Sequence, residues 1–528
     1  MKIESIILKN FRGYEKETKI NLDDLSVFVG KNDAGKSTIL EALDIFFNEG
    51  KGAGVVKLDK DDVNVNCRNK GDVETVITVV FTDLPDVIIL DSTVETTLEK
   101  EYLLNSEGKL EISKKYKNGG AQKVWIKAYH PQNKSCSDLL NKKNADLRKI
   151  IKENEIECLN LTTNSIMRHS IWNHFEDNLN LDTTEIDASK ADVKQIWEKL
   201  YSYMPVYTLF QSDRANTDND SEVQDPLKEA VKLILKEPSI HNILDEVSDK
   251  VYAKLTEVSD RTLEKLREVN EEIADELTPV IPSADKLKWH DVFKTVSISG
   301  DNNIPINKRG SGTKRLILMS FFRGEAERLS NEGESTGIIY AVEEPETSQH
   351  TNNQKILIEA FKEMSKISGV QVLLTTHSAY MVKQLDYKNL KIINEDKTSV
   401  DKVLHVKKNY LHYPSLNEVN YLAFNEINEE YHNELYGSLQ EIAMNEDSKS
   451  NTVKGFDNWL KSRGIKNNLT YVRVQKNNES TTYNVTLPTF IRNIVHHPEN
   501  LNNRYTKEQL KESILMLREI YSEMKMIE

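Results

Sequence analysis

Eight consecutive residues limit what this chain can fold into more than any other feature. Gly30-Lys31-Asn32-Asp33-Ala34-Gly35-Lys36-Ser37 matches G-x-x-x-x-G-K-[ST] in full. The apolar run Leu25-Ser26-Val27-Phe28-Val29 precedes it and a helical pattern over 38–47 follows, which is the strand–loop–helix setting such a loop requires. Its glycines let backbone N–H groups close around phosphate oxygens, and the following helix turns the positive end of its dipole toward them. Lys36 is then placed to neutralise β- and γ-phosphate charge, and the Ser37 hydroxyl to ligate magnesium. Gly30 through Ser37, together with Thr38 at the helix start, are the expected contacts of a nucleoside triphosphate, with ATP and Mg2+ as the expected pair.

A second group of residues completes this site on paper. Ile338-Ile339-Tyr340-Ala341-Val342 reads as a buried strand and ends in Glu343-Glu344-Pro345-Glu346. A strand tip beside a phosphate loop is where a first acid holds magnesium and a second polarises water, so Glu343 is assigned to the metal and Glu344 to the catalytic base. Gln371 to Thr375 is a second continuous apolar run, and a helical pattern over 354–367 separates the two, which is βαβ patterning. The second run closes on Thr376-His377-Ser378, where His377 is the candidate sensor of the γ-phosphate. Between these parts lies Lys308-Arg309-Gly310-Ser311-Gly312-Thr313-Lys314-Arg315, a glycine-rich segment opening a helix, whose free backbone amides also suit a phosphate.

Taken in order, the loop, the Gly-Ser-Gly segment, the Glu-Glu-Pro strand and the histidine resemble the split ABC-type ATPase head of SMC, RecF and OLD-family proteins over residues 1–390. The opening Lys9-Asn10-Phe11-Arg12 fits the same group. The resemblance implies an α/β head that pairs with a second copy, the Ser311-Gly312 segment of each completing the other's ATP site in a homodimer or a higher oligomer. Two positions depart from that pattern: the segment is not Leu-Ser-Gly-Gly-Gln, and Glu343 stands where aspartate is commoner. Gln211, in Phe210-Gln211-Ser212-Asp213-Arg214, is the candidate glutamine switch. With Arg309 to Thr313 and Glu343 to His350, that stretch is similar to antiviral ATPases of the Septu and retron-associated PtuA type. This narrower resemblance implies phage defence with an HNH-type nuclease partner and, in retrons, a reverse transcriptase with its DNA–RNA product.

Composition bounds the remaining readings. With 528 residues, two or three domains are expected. We divide them as a first ATPase lobe (1–135), a helical insertion and arm (136–285), a second lobe (286–410) and a C-terminal helical domain (411–528). The net charge of −14 excludes a whole-protein basic field for nucleic acid, so any such contact needs a local patch. Lys114-Lys115-Tyr116-Lys117 and Lys142-Lys143 are too short to be more than solvated loops. A RecF- or SMC-like DNA repair ATPase is disfavoured on the same ground. Three separated cysteines give neither a disulfide framework nor a zinc hook. No segment approaches the ~20 apolar residues that cross a bilayer, and the chain opens on a strand pattern over 2–9, so a cytoplasmic protein is expected. In the arm, apolar positions and Thr262 run from Ile240 to Leu277, 37 residues in ten steps or 3.7 per step, which predicts a long, nearly straight helix about 60 Å in length.

After residue 411 the pattern is helical over 417–444, 454–463, 488–496 and 506–526, with Thr506-Lys507-Glu508-Gln509 reading as a capping box. Nothing there offers the separated Glu and D-x-D of the Toprim nuclease of OLD proteins. Phe490-Ile491-Arg492-Asn493-Ile494-Val495-His496-His497 instead resembles the R-x4–6-H motif of HEPN ribonucleases. That resemblance implies a metal-free pair, His497 moving a proton and Arg492 meeting phosphate charge. A self-contained, ATPase-gated ribonuclease is therefore the alternative to an ATPase that controls a partner nuclease.

Overall fold

The computed structural model describes residues 1–48, 56–91, 94–189, 191–211, 337–347, 349–394, 403–405, 415–474 and 480–525, with scattered residues between 235 and 256. It divides into two compact units, one of 1–209, 335–346 and 350–528, the other of 210–334 and 347–349. The Ser311-Gly312 segment and nearly all of the periodic arm lie outside the described residues.

The chain opens with β1 (Lys2–Lys9), β2 (Thr18–Asn21) and β3 (Leu25–Val29), then runs through the phosphate loop into α1 (Lys36–Asn48) and the short α2 (Val65–Asn69). Next come β4 (Glu74–Thr82), the paired β5 (Ile88–Asp91) and β6 (Val94–Thr96), β7 (Leu110–Lys117) and β8 (Gln122–Pro131). Helices α3 (Asn144–Glu153) and α4 (Asn164–His174) lead to β9 (Leu181–Asp187), α5 (Ala191–Ser202) and β10 (Val206–Phe210). The chain then supplies β11 (Ile338–Glu343), α6 (Thr351–Met364), β12 (Val370–Thr376), the single turn α7 (Ala379–Val382), β13 (Leu390–Ile393) and β14 (Val403–His405).

Among the described residues, two six-stranded sheets result. The first, in the order β2-β1-β4-β7-β8-β9, is antiparallel throughout. The second, in the order β10-β11-β12-β3-β13-β14, is mixed: β11, β12, β3 and β13 run parallel and β14 returns antiparallel. Its central strands are buried along their whole length, as continuous apolar runs covered on both faces must be. The fold is α/β, a P-loop head with mixed sheets and added helices.

Helix α1 joins the sheets into one core. Ile39, Leu43, Phe46 and Phe47 pack in the cluster that holds Ile6, Phe81 and Ile112 of the first sheet and Ile339, Leu373 and Ile393 of the second. Its C-terminal carbonyls, which no intrahelical donor reaches, are met from outside. Lys114 Nζ of β7 donates to Phe46 O at 2.6 Å, and lies 5.0 Å from the Phe46 ring and 5.8 Å from that of Trp197. Tyr201 Oη likewise donates to Phe47 O, while Tyr207 Oη adds a bond at 2.6 Å to Leu40 O in the helix interior. Lys114, whose short basic run was expected to be solvated, is thus a buried residue of β7 capping the nucleotide helix. A second clasp is the Gln371 amide, 3% exposed. Its Oε1 accepts from Ile3 N at 2.7 Å and its Nε2 donates to Ile3 O at 2.9 Å, standing in for a backbone partner between β12 and β1.

The stretch expected to be a helical insertion from 136 departs from that expectation in its described part. β9 pairs with β8 along Leu181 to Asp187, and Leu147, Met167, Trp172 and Ile196 enter the same core as the first lobe. The C-terminal residues form α8 (Leu416–Phe424), α9 (Glu429–Glu446), α10 (Val453–Ser462), the hairpin β15 (Leu469–Val474) and β16 (Ser480–Val485), α11 (Leu487–His496) and α12 (Lys507–Lys525). The single helix expected over 417–444 breaks because Asn425 takes the left-handed C-cap conformation (φ 56°) and Asn428 caps the next helix. The capping box is present: Gln509 N donates to Thr506 Oγ1 at 3.2 Å and Thr506 N to Gln509 Oε1 at 2.9 Å.

Candidate functional site

Strand pairing gathers the predicted residues. Val29, the last residue of β3, is level with Thr376 at the end of β12, and Glu343, closing β11, is level with Thr375. The phosphate loop, the acidic run and His377 therefore leave the sheet at one edge, the carboxyl ends of parallel strands, where open α/β sheets place their ligands.

The loop conformation depends on its glycines. Gly30 has φ +154° and a Cβ there would sit 2.5 Å from Ile393 O; Gly35 has φ +102° and a Cβ would lie 3.3 Å from the Tyr14 ring. Tyr14 is fully buried and its hydroxyl donates to Gly35 O at 3.0 Å, so a residue of the turn between β1 and β2, N-terminal to the motif, helps shape it. Burial pushes this phenol's pKa far up, keeping it a donor. Lys31, Asn32 and Asp33 are exposed, Ala34 is buried, and Ser37 and Thr38 are half-buried on the first turn of α1. Lys36 is 5% exposed and its Nζ donates to Gly30 O at 2.9 Å and Lys31 O at 2.8 Å. Burial pulls its pKa below the ordinary lysine value, while Glu344, Glu346 and Asp33 oppose the shift by attraction. The two halves of the site are thus within electrostatic reach of each other.

Glu343 is 7% exposed at the end of β11. The chain then turns at Glu344, whose φ is +42° and whose N–H donates to Thr375 O at 3.0 Å and to Thr375 Oγ1 at 3.2 Å. A non-glycine residue held in this region stores backbone strain of order 1–3 kcal/mol, a pattern that clusters at functional sites. Glu344 Oε1 lies 3.1 Å from His377 Nδ1, so the predicted base and the predicted sensor touch. Glu346, which sequence reasoning left without a role, is 6% exposed and lies 3.8 Å from the same nitrogen. The visible signal was a third acid two residues beyond Glu344; what it meets, about 30 residues later, was not readable.

Hydroxyl and carboxylate oxygens from Ser37 and Glu343 are the hard donors magnesium prefers, and Mg2+ usually keeps waters and phosphate oxygens beside one or two protein ligands. Among the described residues no group of three or more His, Cys, Asp or Glu is arranged to hold a metal. Gln211 directly follows β10 and is half-buried. In the C-terminal domain, Arg492 Nη1 reaches Asn493 Oδ1 at 3.3 Å, and the exposed His497 places Nδ1 3.3 Å from Glu499 Oε1. Partial burial, then repulsion from Arg492 and His497, lowers the pKa of the intervening His496. Among the described helices none is long and apolar enough to cross a membrane.

A P-loop at the edge of a parallel sheet, facing an acidic strand tip and a histidine, defines a P-loop ATPase. Residues 1–382 match the AAA ATPase domain family, and the chain belongs to it. It is similar to endonuclease GajA of Bacillus cereus strain VD045, 24% identical over 390 residues that make up 73% of this chain and 57% of that protein. Endonuclease GajA of strain HuB5-5 is 21% identical over 469 residues, 79% of this chain and 60% of that protein. The chain thus spans about three fifths of the length of these relatives. Among solved structures, the Smc head domain bound to the C-terminal domain of ScpA derived from Pyrococcus furiosus aligns with 76% of this chain and 95% of its own at 12% identity, with a TM-score of 0.35.

Proposed function

We propose that this ATPase binds and hydrolyses Mg-ATP as the regulatory subunit of an antiviral defence system, and that its nucleotide cycle controls the nuclease activity of a partner of HNH type. The observation that carries the ATPase chemistry is the meeting of Glu344 with His377 at 3.1 Å, beside a desolvated Lys36. In this reading the loop amides and Lys36 hold the triphosphate, and Glu344 takes a proton from the attacking water. His377 registers the γ-phosphate, while Ser37 and Glu343 would hold a magnesium ion, which would neutralise phosphate charge there. Two heads trap ATP between them, Ser311 and Gly312 of each meeting the nucleotide of the other. The defence role is supported by the relatives' endonuclease activity and by the resemblance to Septu- and retron-associated ATPases; in a retron setting a reverse transcriptase and its DNA–RNA product join the assembly.

The test is ATP turnover by purified wild type, Lys36→Ala and Glu344→Gln. Both variants should lose turnover by about 10²-fold or more, with Glu344→Gln still binding ATP. Sedimentation of Glu344→Gln with ATP should show a dimer that Ser311→Arg prevents. Hydrolysis at the wild-type rate by either variant removes the catalytic assignment.

A further inference from the structure

We infer that Glu346 is a positioning residue for ATP hydrolysis: it fixes the turn that carries His377, and so the approach of that ring to Glu344. This rests on the ATPase reading above and goes beyond it, because it gives the third carboxylate of the acidic run a task distinct from metal binding and base catalysis.

A carboxylate with 6% exposure is expensive to bury unless donors meet it. Glu346 Oε1 accepts from Thr376 Oγ1 at 2.7 Å and from His377 N at 3.0 Å. Both donors stand at the tip of β12, so this side chain crosses from the end of one parallel strand and caps its neighbour. The bracing continues past the histidine. Ser378 N donates to Thr376 Oγ1 at 3.0 Å, and Ser378 Oγ caps α7 by accepting from Met381 N at 3.3 Å. His377 is thereby held between two anchored residues while its ring stays 44% exposed on the side-chain scale.

The ring orientation follows from the same acids. Nδ1 faces Glu344 Oε1 at 3.1 Å and Glu346 Oε1 at 3.8 Å, which leaves Nε2 as the nitrogen available to a phosphate. The second oxygen of Glu346, Oε2, is buried without a hydrogen-bond partner among the described residues.

The experiment compares wild type, Glu346→Ala, Glu346→Gln, His377→Ala and Glu346→Ala/His377→Ala, with Lys36→Ala as control. ATP turnover is measured beside the affinity for a non-hydrolysable ATP analogue. Glu346→Ala should lower kcat about 10- to 100-fold with affinity changed less than about threefold. Glu346→Gln keeps an acceptor oxygen for both donors and should return to within about fivefold of wild type. In the His377→Ala background the Glu346→Ala change should cost nothing further, because both act through one ring. Unchanged kcat in Glu346→Ala, no rescue by glutamine, or the same fold loss with and without His377 overturns the positioning role. Turnover by Lys36→Ala at the wild-type rate would instead remove the ATPase reading itself, so the two failures are distinct.

Discussion

His432 gives the C-terminal domain a stability that acid should remove. It lies on α9 with no exposed surface, and its Nε2 is 2.9 Å from Ser513 Oγ on α12. Burial depresses its pKa from the ordinary 6.5 to about 4. The sign follows from linkage. The unfolded chain takes up a proton near pH 6.5 while the folded one resists until near pH 4, so stability is complete above 6.5 and declines as pH falls through that window. The gap between the two values corresponds to about 3 kcal/mol in total, of which about 2 kcal/mol should be lost between pH 7 and pH 5. Urea unfolding at those two pH values, followed by tryptophan emission, measures this; Trp459 is buried in the same apolar cluster as Tyr436 and Leu439. His432→Gln serves as the reference, since subtracting its pH dependence cancels the contributions of other groups. Wild type should lose about 2 kcal/mol more than the variant on acidification. Parallel pH profiles for the two proteins would refute the assignment of a neutral, buried imidazole.

Two further substitutions test the fold around the nucleotide. Gly30→Ala places a Cβ 2.5 Å from Ile393 O in a backbone region side chains rarely adopt, and should cost about 3 kcal/mol and abolish ATP binding; a wild-type melting curve with intact binding would contradict it. Gln371→Ala strands the buried N–H and C=O of Ile3 and should lower stability by about 2–5 kcal/mol in denaturant titration, whereas a loss under 1 kcal/mol would mean the amide clasp contributes little.

What the chain discloses about itself depends on how local each feature is. The phosphate loop, β1, β3, β4 and β12 were readable because motif, alternation or an unbroken apolar run lies within a few residues. β9 was not: only Ile186 of its seven residues is buried, and an edge strand so polar is held by its ladder with β8 rather than by its composition. β13 has four residues, too few for a period, although all are buried. In the C-terminal domain the β15–β16 hairpin was missed because its outward residues are polar, with β16 exposed at every position but Val485. At the site, the position of Lys36 in the phosphate loop and of Glu343, Glu344 and His377 at strand ends was legible. The roles of Tyr14 and Glu346 were not, since each acts on a partner that only the sheet order brings near.

The Gln371 clasp has a consequence for how the protein is made. Ile3 leaves the ribosome well before the amide that satisfies it, which follows 368 positions later. At roughly 5–20 residues per second that interval is about 20–70 s. Throughout it, β1 has its ladder neighbours β2 and β4, but β3 must wait without β12 and β13, the two strands that flank it. Synthesis therefore passes through a long vulnerable phase in which the nascent N-terminal half depends on its own antiparallel hairpins, or on a chaperone, to avoid clumping with its neighbours on the same message.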